Sequence, residues 1–161
     1  MTGTPPAGVG SPEERLAALG LTLPAVAAPL AAYVPAVREG DLVFTSGQLP
    51  TVDGKLLAAG LVGAEVTPEQ AKELAATCAL NALAAIAALT GGLSAVRRVV
   101  KVVGFVASAP GFTGQPAVVN GASELLGAVF GDAGVHARSA VGVSALPLGA
   151  PVEVELIVAV V

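Results

Sequence analysis

The chain has 161 residues, enough for one domain with a sizeable core, and 54% of them are hydrophobic against 12% charged. An average soluble protein carries roughly twice that share of charge, so this chain is expected to bury apolar surface between copies of itself. A formal net charge of −4 on eight Lys plus Arg excludes a basic footprint for nucleic acid, and one cysteine with one histidine excludes an intrachain disulfide and a Cys/His zinc cluster.

Residues 1–10 are rich in Gly, Pro and Thr and read as a loose arm. Ser11-Pro12-Glu13-Glu14 follows as an N-cap, a proline at the first helical position and a capping-box glutamate, which predicts a short helix to about Leu19. Residues 24–32, Pro- and Ala-rich, read as an extended connector. Tyr33–Val37 and Leu42–Ser46 flank Arg38-Glu39-Gly40-Asp41 and predict a hairpin. A polar loop follows, with Asp53-Gly54 at its tip. Thr67-Pro68-Glu69-Gln70 is the clearest helix start, with Thr67 as cap and Gln70 closing a capping box, and Gly91-Gly92 is the stop. Val96–Ser108 reads as a long strand, Ala117–Phe130 as a second long helix, and Ala137–Ala145 and Val152–Val161 as the last two strands. After the first helix the order is ββ-α-β-α-ββ. That predicts an α+β sandwich, a mixed sheet with two helices on one face. The other face needs cover, which a second subunit would supply.

No basic segment followed by an apolar run opens the chain, so no signal peptide is expected and a cytoplasmic location is. Leu74–Leu89 is mostly Ala and includes Thr77 and Asn81, and it is expected to fall short of the roughly 20 strongly apolar residues of a membrane span. Cys78 lies in this segment and reads as a small buried hydrophobe rather than a nucleophile.

The stretch richest in chemistry is His136-Ala137-Arg138-Ser139-Ala140, then Leu146-Pro147, then Val152-Glu153-Val154-Glu155. A hairpin at Leu146-Pro147 would set Arg138 and Glu153 face to face. Arg138 then reads either as a planar fork for a ligand carboxylate or as the structural partner of Glu153 or Glu155, which share a strand face. Tyr33, the only tyrosine, is a packing or a cleft residue, and Asn120 a polar helix residue or a ligand contact. Ser46 and Gly47 read as backbone N–H donors rather than a nucleophile site. His136 is either an acid–base group beside Arg138 or a rim residue. No phosphate-loop glycine pattern is present.

Tyr33, Thr45-Ser46-Gly47-Gln48-Leu49-Pro50, Val119-Asn120, Ala137-Arg138-Ser139, Leu146-Pro147 and Val152-Glu153-Val154-Glu155 together resemble the RidA family, also called YjgF or endoribonuclease L-PSP. The resemblance spans 33–161 and leaves residues 1–32 as an N-terminal arm with a short helix, as in a longer-chained branch. It implies a chorismate-mutase-like fold and a homotrimer with clefts between subunits. The activity implied is hydrolysis of small 2-imino acids of the 2-aminoacrylate type to 2-keto acids and ammonia, with no metal or organic cofactor. Arg138 would bind the substrate carboxylate and Glu153 would orient the water. Tyr33, Ser46, Gly47 and Asn120 would line the cleft, some from the neighbouring subunit. Two rivals are a trimer that binds a small carboxylate without turnover and an endoribonuclease, the latter poorly served by so few cations. The archetype carries a reactive cysteine where Ala140 stands here and a proline where His136 stands. The resemblance implies neither nucleic acid nor membrane as a partner.

Overall fold

The computed structural model describes residues 10–26 and 32–161. The first helix, α1 (Pro12–Ala18), has its full capping box: Ser11 Oγ accepts from the Glu14 N–H, and the Glu14 carboxylate accepts from the Ser11 N–H. Leu16 is its one buried side chain. The Glu13 carboxylate takes the N–H and O–H of Ser94 at 2.8 and 2.6 Å, so α1 is docked against the body of the fold. Of the expected connector, 27–31 lie outside the described residues.

The expected hairpin is β1 (Ala36–Glu39) and β2 (Leu42–Thr45), turning at Gly40-Asp41. The loop tipped by Asp53-Gly54 is itself a small hairpin, β3 (Thr51–Val52) with β4 (Lys55–Leu56). Asn81 anchors it by donating to the carbonyls of Leu49 and Thr51. Helix α2 (Pro68–Thr90) starts where Thr67 Oγ1 accepts from the Gln70 N–H, the first half of the expected box. It ends at Gly91 in the left-handed conformation. At 23 residues and a mean hydropathy of 1.6 in its most apolar window, α2 is long and apolar enough to cross a membrane, a correction to the shorter segment expected. Here it is the core helix, with Leu74, Cys78, Leu83 and Ile86 buried. Strand β5 (Val96–Ala107), α3 (Gln115–Phe130), β6 (Ala137–Val143) and β7 (Val152–Val160) complete the chain.

The sheet order is β1-β2-β7-β5-β6, antiparallel throughout except for parallel β5 and β6. Strand β5, α3 and β6 therefore form a βαβ crossover, the connection that parallel neighbours require. Helices α2 and α3 lie on one face, where Val43, Val99, Val102, Val106, Val154, Leu156 and Val158 are buried with them. The Ala-rich sequence lets the helices pack closely. At Gly121 of α3 a Cβ would overlap the Lys72 carbonyl oxygen of α2. Each larger aliphatic side chain buried here contributes on the order of 1.5–3 kcal/mol. Alternation along the strands sends Leu42, Phe44, Val103, Phe105, Val141 and Ile157 to the other face, which no element among the described residues covers.

Candidate functional site

Strand β5 lies between β6 and β7, so Arg138 and Glu153 do not meet across a hairpin. Arg138 is opposite Val102, which is buried beneath the helices, and Glu153 is opposite Phe105 on the uncovered face. The two are on opposite faces of the sheet. The expected Arg138–Glu153 facing pair is corrected on this ground, and the reading of Arg138 as structural partner of Glu153 or Glu155 goes with it. Among the described residues the one salt bridge joins Lys72 and Glu124, on the helices.

Arg138 belongs to a cluster between β6 and α3. Its Nη1 donates to Asn120 Oδ1 at 2.8 Å and to Ser123 Oγ at 3.2 Å, and its Nη2 to the Pro116 carbonyl at 3.3 Å. A guanidinium has five N–H donors. Three are taken by α3, which leaves Nε–H and one Nη2–H for a ligand. Two donors on a rigid plane match one carboxylate. Asn120 and Ser123, three apart, share a helix face, which is why both reach the same guanidinium. His136 joins from the other side: Nε2 is 2.9 Å from Ser123 Oγ and Nδ1 is 2.6 Å from the Gly134 carbonyl. His136 is thus half-buried in a network and not a free rim residue. Ser123 is the member that sequence reasoning missed; its i, i+3 spacing from Asn120 was the available signal.

The second cluster is built on a β-bulge. Between the pairs Phe44–Ile157 and Gln48–Val154, three residues of the β2 side, Thr45, Ser46 and Gly47, oppose two of β7, Glu155 and Leu156. Thr45 Oγ1 fills the gap by accepting the Leu156 N–H at 3.0 Å. The bulge re-aims the chain so that Gly47 lies under the Glu153 side chain, as bulges beside sites commonly do. A Cβ at Gly47 would overlap the Glu153 carboxylate. Ser46 donates its hydroxyl to the Val34 carbonyl at 2.6 Å and its N–H to that of Pro35 at 2.8 Å. Both hydrogens are therefore committed within the chain, which corrects the expectation of a Ser46 backbone donor. The same bonds tie down the segment carrying Tyr33, which is exposed. The predicted residues thus fall into two groups: Arg138 with Asn120, and Glu153 with Gly47, Ser46 and Tyr33.

Burial, with the Glu155 charge adding to it, holds the Glu153 carboxyl above the usual carboxylate range. A raised folded-state value means that this group's stability contribution is present below the unfolded value and lost as pH rises through the folded one. Glu153→Gln removes that loss. The variant is expected to melt above wild type at neutral pH, with the gap closing below about pH 4; parallel thermal melts across pH check this, and a variant that melts lower at neutral pH contradicts it. Gly47→Ala is expected to fold, since the obstacle is the mobile end of a side chain, but to displace the Glu153 carboxylate. A crystal structure of Gly47→Ala with that carboxylate unmoved would contradict the assignment.

Cys78 is buried, with its Sγ 3.7 Å from the Val152 carbonyl. Burial, then the nearby Glu153 charge, pushes its thiol well above the ordinary range, so it is not a ready nucleophile. Among the described residues no three His, Cys, Asp or Glu side chains converge as a metal site would need.

An α+β fold with two helices on one face of a mixed sheet is that of a known class of proteins. Residues 13–160 match the family described as "YjgF/chorismate_mutase-like, putative endoribonuclease". The chain belongs to this YjgF/RidA family. It is 46% identical over 145 residues to Protein TCP17 of Trypanosoma cruzi, covering 89% of this chain and 91% of that one. It is similar to the crystal structure of Atu1372 from Agrobacterium tumefaciens, a protein of unknown function: 48% identity, TM-score 0.87, 93% of this chain and 92% of that one. It is also similar to a "putative endoribonuclease" from Shewanella oneidensis MR-1: 35% identity, TM-score 0.90, 94% of this chain and 100% of that one.

Proposed function

We propose that the chain assembles as a homotrimer and hydrolyses small 2-imino acids of the 2-aminoacrylate type to 2-keto acids and ammonia, in clefts between subunits. The observation that carries this reading is the division of the site. A guanidinium with two donors to spare is on the helix face at an edge strand, and a raised carboxyl is on the uncovered face. One chain cannot bring them together; on this reading a neighbour seated on the apolar sheet face reaches past the edge strand β6, so that its Glu153 group stands beside this chain's Arg138 group. The uncovered Leu42, Phe44 and Val141 supply the apolar surface for that seat.

In such a cleft Arg138 holds the substrate carboxylate and fixes the imine carbon near Glu153. Water attacks the protonated imine carbon, forming a C–O bond, and gives its proton to the Glu153 carboxylate. The carbinolamine then loses ammonia: the proton on Glu153 goes to the nitrogen, the C–N bond breaks as the C=O bond forms, and the hydroxyl gives its proton back to Glu153, which passes it to the departing ammonia to leave ammonium. Orientation and electrostatic placement carry the step, because hydration of an iminium is intrinsically easy. The expected setting is the cytoplasm, where pyridoxal-phosphate enzymes release such intermediates.

One observation favours a second reading, a binder without turnover. Escherichia coli TdcF, 27% identical with a TM-score of 0.56, was crystallised with bound serine, a small amino acid carboxylate. An imine generated in situ by an amino-acid oxidase, with ammonia and keto acid assayed at stopped times, separates the two. Faster release with the protein supports the deaminase. Pyruvate or 2-ketobutyrate binding with no rate enhancement supports the binder. An endoribonuclease role fits least, given the net charge of −4; RNA cleavage by clean protein that is lost in Arg138→Ala would reverse this ranking. Sedimentation is expected to give a species about three times the 15.6 kDa chain mass, and a stable monomer at micromolar concentration would remove the shared cleft.

A further inference from the structure

We propose that His136, acting through Ser123, is a positioning residue for Arg138, fixing which guanidinium donors face the substrate carboxylate. The proposal rests on reading Arg138 as the carboxylate clamp. The direction of each hydrogen bond follows from chemistry. The Gly134 carbonyl can only accept, so His136 Nδ1, at 2.6 Å, carries a hydrogen. In the neutral ring Nε2 is then an acceptor, so Ser123 Oγ, at 2.9 Å, donates to it. Its hydrogen committed, Ser123 presents lone pairs to Arg138 Nη1 at 3.2 Å, while Asn120 Oδ1 takes the other Nη1 hydrogen. The chain runs one way, from Arg138 to Ser123 to His136 to the Gly134 carbonyl.

The far end of this chain is rigid. Gly134 is buried, and a Cβ there would overlap the Leu126 carbonyl oxygen of α3, so its backbone is packed against the helix. Without His136 the Ser123 hydroxyl is free to turn back and bond its own helix at the Val119 carbonyl, as mid-helix serines do. Its lone pairs would then leave Arg138, and Nη1 would lose one of its two acceptors.

His136 is the only histidine, so its imidazole gives a single pair of ¹⁵N resonances. In ligand-free protein, at a pH where the ring is neutral, these are expected to show the tautomer with hydrogen on Nδ1 and a bare Nε2. The Arg138 Nη resonances are expected to be resolved by slow rotation in wild type and averaged in Ser123→Ala and His136→Leu. Gln places an acceptor oxygen near the Nε2 position, so His136→Gln is expected to keep the slow rotation. With 2-ketobutyrate as probe, Ser123→Ala and His136→Leu are expected to weaken binding by about 3- to 30-fold and to raise KM more than they lower kcat, while His136→Gln stays within about 3-fold. Titration with 2-ketobutyrate should shift the Nε2 resonance in wild type. Unchanged Arg138 rotation and unchanged 2-ketobutyrate affinity in Ser123→Ala would overturn the proposal, whether or not His136→Leu folds. Wild type that shows the expected ligand-free spectra but binds neither 2-ketobutyrate nor pyruvate would instead overturn the keto-acid reading of the site. The His136 contact is decided by the ligand-free spectra alone.

Discussion

Arg138→Lys is expected to lose nearly as much kcat/KM in imine hydrolysis as Arg138→Ala, about 30- to 1000-fold, equivalent to roughly 2–4 kcal/mol of transition-state binding. Lysine keeps the positive charge. It cannot keep the plane, and the plane is what serves α3 and the ligand at once. The guanidinium gives three N–H groups to Asn120, Ser123 and Pro116 and still has two for a carboxylate. An ammonium has three hydrogens in all and no fixed fork. The check is steady-state ammonia release by both variants with the oxidase-generated imine. Near wild-type kcat/KM for Arg138→Lys would reduce the residue to a source of positive potential.

Glu153→Gln is expected to lower kcat by roughly 10- to 100-fold and to leave keto-acid affinity near wild type. An amide is a poor acceptor for the proton of an attacking water, but it has nearly the same shape as the carboxylate above Gly47. Calorimetric affinity for 2-ketobutyrate and kcat, measured on the same preparation, separate this from scaffolding, which would weaken binding and spare kcat. The pH profile adds a second reading. Burial first, and Glu155 second, hold the Glu153 carboxyl up. The base must be ionised, so activity rises with pH through its titration. Glu155→Gln removes the like charge and is expected to move that limb to lower pH; a limb that stays in place would detach it from Glu153.

What the sequence disclosed most readily was local. Ser11 with Glu14, Thr67 at the head of α2 and Gly91 at its foot are decided by groups within four residues, and each is where its chemistry predicts. The order of elements was legible for the same reason. The pairing of β6 and β7 was not. Two strands joined by a short Leu-Pro turn suggest a hairpin, but β5 takes the place between them, because parallel β5–β6 pairing across α3 satisfies β6 instead. That is a non-local choice, and neither strand's residues encode it alone. With it went the parity: Arg138 aligned with buried Val102 points to the helices, and Glu153 aligned with Phe105 points away. The candidate residues stood out by their chemistry, but their roles came from the family resemblance, since an isolated Arg or Asn carries little signal. Ser123 escaped because its role exists only once α3 lies against β6.

In the proposed trimer a complete site takes its arginine from one subunit and its glutamate from the next. Arg138→Ala and Glu153→Gln are each expected to be nearly inactive as homotrimers. Unfolded and refolded together in equal amounts, they are expected to form mixed trimers in which about one cleft in three combines an intact Arg138 with an intact Glu153. Ammonia release from the oxidase-generated imine by the mixed trimers, isolated with two different affinity tags, is the direct measurement. Recovery toward about a third of the wild-type rate is the predicted result. Mixed trimers no more active than either parent would contradict it.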